Sequence, residues 1–194
     1  MERPLDGKAL LCGLDEAGRG PLAGPVCAAA VILPKDFPVA ILNDSKKLSP
    51  LAREKARFII CSESLAWGLG WASATEIDRI NIHNASLLAM KRAFESLGEF
   101  TSLDTVRAVA DGLFTPDISV SCQALVKADS LVPAVMAASI LAKTARDRLM
   151  EYYGLFYPQY GYEKHKGYPT KAHREAILRF GPSPIQRLSF RVKS

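Results

Sequence analysis

Lys8-Ala9-Leu10-Leu11-Cys12-Gly13-Leu14-Asp15-Glu16-Ala17-Gly18-Arg19-Gly20-Pro21, followed by Leu22-Ala23-Gly24-Pro25 and then Val26-Cys27-Ala28-Ala29-Ala30-Val31-Ile32-Leu33-Pro34, sets two apolar runs on either side of a glycine- and proline-rich connection. Short apolar runs bounded by turn residues predict consecutive buried strands, here at 8–13 and 26–33. Outward from this pair, residues 66–74, 105–110 and 120–126 read as further strands. Apolar residues at helical spacing predict helices over 50–61, 83–97, 130–153 and 171–180. Ser49 as cap followed by Pro50 marks the start of the first helix, and Gly181-Pro182 marks the end of the last. Pro133 is compatible with its helix only because it lies in the first turn. Strands first, then alternating helices and strands, then helices, predict an α/β fold: a mixed sheet flanked by helices.

The chain has 194 residues, 48% of them hydrophobic, enough for one packed core and unlike a disordered segment. No apolar run approaches the roughly 20 residues a membrane helix needs, and the N-terminus does not read as a signal peptide. Cys12, Cys27, Cys61 and Cys122 form no C-x-x-C pair and have no histidine at zinc-ligand spacing, so they are expected to be reduced thiols in a cytoplasmic protein. Residues 1–150 hold 17 Lys and Arg against 17 Asp and Glu, while residues 151–194 hold 8 against 3; the net charge of +5 therefore resides in the C-terminal segment. All six tyrosines lie there too. Cations neutralise phosphates and aromatic faces pack on sugars or bases, which suits a nucleic-acid surface as well as a solvated basic tail. The expected division is a core at 1–150 and a basic, tyrosine-rich segment at 151–194.

Four carboxylates stand where apolar runs end. Asp15 and Glu16 follow the first strand, Asp111 follows the fourth, and Asp129 lies between a strand and a helix. Each has an ordinary structural use: Asp111-Gly112 suits a turn, Asp129 beside Ser130 suits a helix start, and Asp15-Glu16 suits a solvated turn. Together, strands of one sheet ending in acids gather like charges, which repel unless cations neutralise them. Hard oxygen ligands without His or Cys match Mg²⁺ or Mn²⁺, and two such ions can support an in-line phosphodiester displacement. Gly18-Arg19-Gly20 adds a backbone that permits close approach and a phosphate-binding guanidinium. Residues 13–18 have P-loop spacing, but Arg19-Gly20 replaces Lys-Ser/Thr. The spacing of Gly18, Gly20 and Gly24 is one residue too long for a dinucleotide fingerprint.

Asp15-Glu16-Ala17-Gly18-Arg19-Gly20-Pro21-Leu22-Ala23-Gly24-Pro25-Val26 closely resembles the opening motif of bacterial ribonuclease HII, the type 2 ribonuclease H. The likeness continues through Leu42-Asn43-Asp44-Ser45-Lys46-Lys47-Leu48, Asp111-Gly112, Lys127-Ala128-Asp129, Ala137-Ala138-Ser139-Ile140-Leu141-Ala142-Lys143 and His165-Lys166-Gly167-Tyr168-Pro169. It departs at Ala110, Leu113 and Ala128, where the family commonly has Val, Asn and Gly.

The resemblance implies a ribonuclease H-like mixed five-stranded sheet flanked by helices, with a small helical C-terminal segment that helps to grip a duplex. It implies Asp15, Glu16, Asp111 and Asp129 as catalytic metal ligands for two Mg²⁺ or Mn²⁺ ions. Gly18, Arg19 and Gly20 would recognise the ribonucleotide, and Tyr168 would pack on the sugar of the next nucleotide. Lys46 and Lys143 would contact phosphates. The implied activity is endonucleolytic hydrolysis of the RNA strand of RNA–DNA hybrids, and at single ribonucleotides embedded in duplex DNA, leaving 5′-phosphate and 3′-hydroxyl. His83, His165 and His173 receive no catalytic role. The rival class is a hybrid-binding scaffold without chemistry, distinguished by metal independence and absence of product. Gln186-Arg187-Leu188-Ser189-Phe190 loosely resembles a sliding-clamp peptide, though Leu188 and Phe190 suit packing on the domain equally. A monomer with no membrane association is expected.

Overall fold

The computed structural model describes residues 10–42, 49–97 and 106–192. Two apolar runs pair antiparallel as β1 (Leu10–Ala17) and β2 (Val26–Ile32), and β3 (Ala66–Ala72) adds to β2 antiparallel. On the other side of β1, β4 (Val106–Asp111) and β5 (Cys122–Leu125) run parallel to it. The result is a mixed five-stranded sheet ordered β3-β2-β1-β4-β5. All seven residues of β2 are buried, as an interior strand covered on both faces requires.

Alternation of side chains divides β1 between two layers. Cys12 and Leu14 face α2 (Ala74–Glu95), packing with Ile77, Ala89, Met90 and Phe94. The opposite face of the sheet receives α1 (Pro50–Glu63) and α3 (Pro133–Phe156), through Ala56, Ile60, Ile140 and Leu141. Gly13 lets α3 lie directly on β1, since a Cβ there would sit 2.1 Å from the Ala134 carbonyl carbon. Substituting any larger residue would push the helix off the sheet.

The boundaries differ from expectation in three informative places. β1 continues through both acids to Ala17, because Asp15 and Glu16 stay in register with Ala29 and Ala28 of β2. The second helix starts at Ala74 rather than near His83: Ser73 and Glu76 form a reciprocal capping box, with bonds of 3.2 and 2.8 Å. Asn81 then breaks the helix in the left-handed region (φ 66°), and its side chain caps the second piece by accepting from the Asn84 N–H. The third helix begins at Pro133, while Ala128–Ser130 forms a separate 3-10 turn.

Helix α3 crosses the expected 150/151 division without interruption. Beyond it, α4 (Tyr162–His165) and α5 (Lys171–Phe180) surround a small cluster in which Tyr160, Tyr162 and Ala176 pack on Met150 and Ala23. His165 and His173 stack there with centroids 4.5 Å apart, and a His173 ring nitrogen meets the Tyr168 carbonyl at 3.0 Å. Burial is the leading cause that lowers the pKa of both rings below 6.5. Below pH about 6.5 the unfolded chain protonates first, so the pair's contribution to stability is present above that pH and lost as pH falls through the depressed folded values. We expect thermal unfolding between pH 7.5 and 5.5 to show a larger loss in the wild type than in His173→Phe; equal losses would contradict this.

Candidate active site

The three parallel strands β1, β4 and β5 end on one side of the sheet, where open α/β sheets commonly place their sites. Leu14 pairs with Ala110 at the end of the β1–β4 ladder, so the next residues, Asp15 and Asp111, stand side by side just beyond it. Asp129 arrives from the turn after β5. One carboxylate oxygen from each of Asp15, Asp111 and Asp129 lies within 4.8 Å of the others. The Asp111 carboxylate also accepts from the Ala128 N–H at 2.8 Å, which ties the end of β4 to the turn that carries Asp129. Lys127 adopts φ 61° to make that turn.

Glu16 occupies a different position. Being adjacent to Asp15 in a continuing strand, it leaves β1 on the α2 side, where one oxygen accepts from Arg19 Nη1 at 3.0 Å and the other is buried without a partner among the described residues. It lines the same cavity but stands outside the three-acid cluster. It also borders a smaller recess with His83, Ser86 and Phe114.

The cavity has a volume of about 450 Å³ and is lined by Asp15 to Gly20, Arg53, Asp111, Asp129, Ser139, Lys143 and Tyr168. Burial, then the charges of Glu16 and Asp111, raises the Asp15 pKa well above its usual value, against a hydrogen bond from Ser139 that lowers it. Burial likewise raises Glu16, opposed mainly by Arg19. Three converging carboxylates, with Asp15 among them reluctant to ionise and an orphaned Glu16 oxygen beside them, fit a hard divalent cation, whose charge would offset the repulsion.

The remaining expected residues can be placed individually. Gly18, Arg19 and Gly20 form the cavity wall directly after β1. Gly18 has φ +97°, and a Cβ there would stand 1.9 Å from Arg146 Nε. Tyr168 is partly exposed, with Lys143 Nζ 5.9 Å and the Arg146 guanidinium 6.0 Å from its ring centre. Lys143 lies in the cavity and pairs with Asp147 at 2.7 Å. Lys46 falls outside the described residues. Arg53 and Ser139 are cavity residues that sequence reasoning missed. For Ser139 a signal existed: it lies one helical turn before Lys143, so both share a face of α3.

Residues 186–190 are built into the domain. The Gln186 amide donates to the Leu22 carbonyl at 2.9 Å, Arg187 is fully buried, and Phe190 packs on the core; Leu188 is exposed. No helix among the described residues is long and apolar enough to cross a membrane.

Comparison with known proteins agrees with this geometry. The family model described as Ribonuclease HII matches residues 12–193. The ribonuclease HII of Treponema denticola is 57% identical over 197 residues, covering 95% of this chain and all of that protein. The crystal structure of the ribonuclease H2 from Pyrococcus horikoshii superposes with a TM-score of 0.77 at 24% identity, covering 94% of each chain. The ribonuclease HII of Archaeoglobus fulgidus, solved in a complex with PCNA, does so with 0.74 at 23% identity, covering 95% and 96%. With a family match over nearly its whole length and a close relative of the same extent, the chain belongs to the ribonuclease HII family, the metal-dependent endoribonucleases of ribonuclease H type 2.

Proposed function

We propose that the chain cuts the RNA strand of RNA–DNA hybrids and also cleaves at single ribonucleotides embedded in duplex DNA, leaving a 5′-phosphate and a 3′-hydroxyl. The observation that carries this reading is the convergence of Asp15, Asp111 and Asp129 in one cavity with the Gly18-Arg19-Gly20 loop and Tyr168. Asp15, Asp111 and Asp129, with Glu16 beside them, would hold two Mg²⁺ or Mn²⁺ ions. Bound divalent ions supply the positive charge that activates water and stabilises the leaving oxygen.

The chain's own residues do the rest. Ser139 and the Glu16 N–H hold Asp15 in place, the latter at 2.7 Å, and Asp111 holds the Asp129 turn. Lys143 and Arg53 set positive charge along one wall for backbone phosphates. The loop and Tyr168 read the 2′-hydroxyl and the adjoining sugar, since that hydroxyl is what distinguishes RNA from DNA. The basic segment at 151–194 completes the substrate groove by supplying Tyr168.

A DNA duplex with one ribonucleotide, incubated with Mg²⁺, Mn²⁺ or EDTA and mapped at nucleotide resolution, tests the reading. One cut on the 5′ side of a phosphate, present with either ion and absent in EDTA, is expected; product in EDTA would overturn it. Tyr168→Ala should reduce cutting at the isolated ribonucleotide about tenfold more than cutting of a uniform hybrid, on the scale of a single lost aromatic contact. Equal losses would remove Tyr168 from junction recognition. Clamp docking through 186–190 is the weaker partner reading, because Gln186 and Phe190 are already committed within the domain.

A further inference from the structure

Two arginines with no role so far lie beneath the Gly18-Arg19-Gly20 loop. Arg187 is fully buried, and its guanidinium donates to four backbone carbonyls: Gly18 at 2.6 Å, Arg19 at 2.9 Å, Pro21 at 2.8 Å and Gly24 at 2.8 Å. Arg146, 1% exposed, donates to the carbonyls of Pro25, Ala23 and Lys166 at 2.9, 3.1 and 3.0 Å. Neither forms an ion pair with a carboxylate among the described residues, although buried arginines ordinarily do. Burial, then the charge of Arg146, lowers the Arg187 pKa to about 9. A buried cation spent wholly on carbonyls is an expensive way to hold a loop, which calls for a reason beyond packing.

Peptide geometry supplies one. In a planar trans peptide the N–H points opposite to the preceding C=O. With the Gly18 and Arg19 carbonyls drawn inward to Arg187, the Arg19 and Gly20 N–H groups face the other way. Pro21 shows the same rule at work: its carbonyl turns in to Arg187, and the following Leu22 N–H donates outward to the Gly167 carbonyl at 2.8 Å, next to Tyr168. Arg19 and Gly20 line the cavity while the buried Arg187 does not, so the side of these peptides turned away from Arg187 is the cavity side. Neither the Arg19 nor the Gly20 N–H has an acceptor among the described residues.

We propose that Arg187 is a positioning residue for ribonucleotide recognition: by gathering four carbonyls it aims the Arg19 and Gly20 N–H groups at the substrate. This rests on the reading that the loop contacts the ribonucleotide. Asp78 extends the device. Its carboxylate accepts from the Leu188 and Ser189 N–H groups, both at 2.9 Å, and from the Ser189 hydroxyl at 2.6 Å, which fixes the segment that carries Arg187 to α2. Phe190 stacks under the guanidinium at 5.1 Å. Lysine cannot replace this arginine, since one ammonium offers three donors from a point and not a planar fork reaching four acceptors.

The test is fluorescence anisotropy with the full chain in Ca²⁺, using a duplex with one ribonucleotide and the same duplex made wholly of DNA. Wild type should bind the first more tightly. Arg187→Lys should lower that affinity ratio roughly tenfold, about the scale of one lost hydrogen bond, with little change for the all-DNA duplex. Ile60→Val, a core change on the α1 face of the sheet that touches neither the loop nor Arg187, should lower the melting temperature and keep the ratio. Should Arg187→Lys not fold, Asp78→Ala should lower the ratio a few-fold. An unchanged ratio in the foldable arginine or aspartate variant overturns the proposal, as does an equal loss in Ile60→Val. Equal binding of both duplexes by wild type would instead overturn the reading of the loop on which it rests.

Discussion

Asp15→Asn is expected to lower cleavage of a ribonucleotide-containing duplex by about three orders of magnitude and to raise the melting temperature in EDTA. The activity loss follows from removing one of three converging ligands: metal stabilisation amounts to several kcal/mol, and each 1.36 kcal/mol is about tenfold in rate. The stability gain follows from the electrostatics. Burial, then Glu16 and Asp111, raises the Asp15 pKa above its usual 3.8, so the folded chain holds that proton more tightly than the unfolded one. Stability from this group is present at low pH and is lost as pH rises through the raised folded value. Asn keeps the acceptor for the Glu16 N–H and removes the charge. For a domain of this size each kcal/mol shifts the melting temperature by about 2–4 °C. Calorimetry in EDTA at pH 7.5 and 5.5 should show the gain narrowing at the lower pH. Hybrid binding should persist, since a negative charge has left a phosphate-binding cleft. A lower melting temperature or retained cleavage would contradict the account.

Gly18→Ala should be the most damaging loop substitution. Its φ of +97° is strained for any L side chain, at about 1–2 kcal/mol, and the added methyl would lie 1.9 Å from Arg146 Nε and 2.3 Å from Cδ. Arg146 must move, breaking bonds of a buried cation that are worth about 1.5–3 kcal/mol each. A loss of roughly 3 kcal/mol or more in urea unfolding is expected, a large share of an ordinary stability of about 5–15 kcal/mol. Gly20→Ala is the comparison: its methyl would meet only Tyr168 Cε1, at 3.7 Å, so its stability should change by less than about 1 kcal/mol. Similar losses for both would show that the loop is not held as described.

The layered sheet and the convergence of Asp15, Asp111 and Asp129 were legible in the sequence for one physical reason. Apolar runs that end in acids place charge at strand ends, and parallel strands share an end. Glu16 was harder to place, because its side depends on whether β1 stops before or after the acids; the pairing with Ala28 carries the strand on and turns Glu16 toward α2. The start of the second helix was hidden by Asn81, which splits the apolar spacing into two pieces, although Ser73 and Glu76 had the spacing of a capping box. Arg146 and Arg187 were illegible as loop supports, since charge patterns read arginine as exposed or as paired with acids, and here the partners are carbonyls, all but that of Lys166 more than 100 residues away. For the same reason 186–190 resembled a free peptide.

In the proposed mechanism Asp15, Asp111 and Asp129 share divalent ions in a single site. Titration of Mn²⁺ into the full chain, followed by isothermal calorimetry and by loss of the free-ion electron resonance signal, tests it most directly. Saturable binding to wild type is expected, weakened by tenfold or more in affinity in each of Asp15→Asn, Asp111→Asn and Asp129→Asn. Mn²⁺ binding of wild-type strength in any one of the three would contradict it.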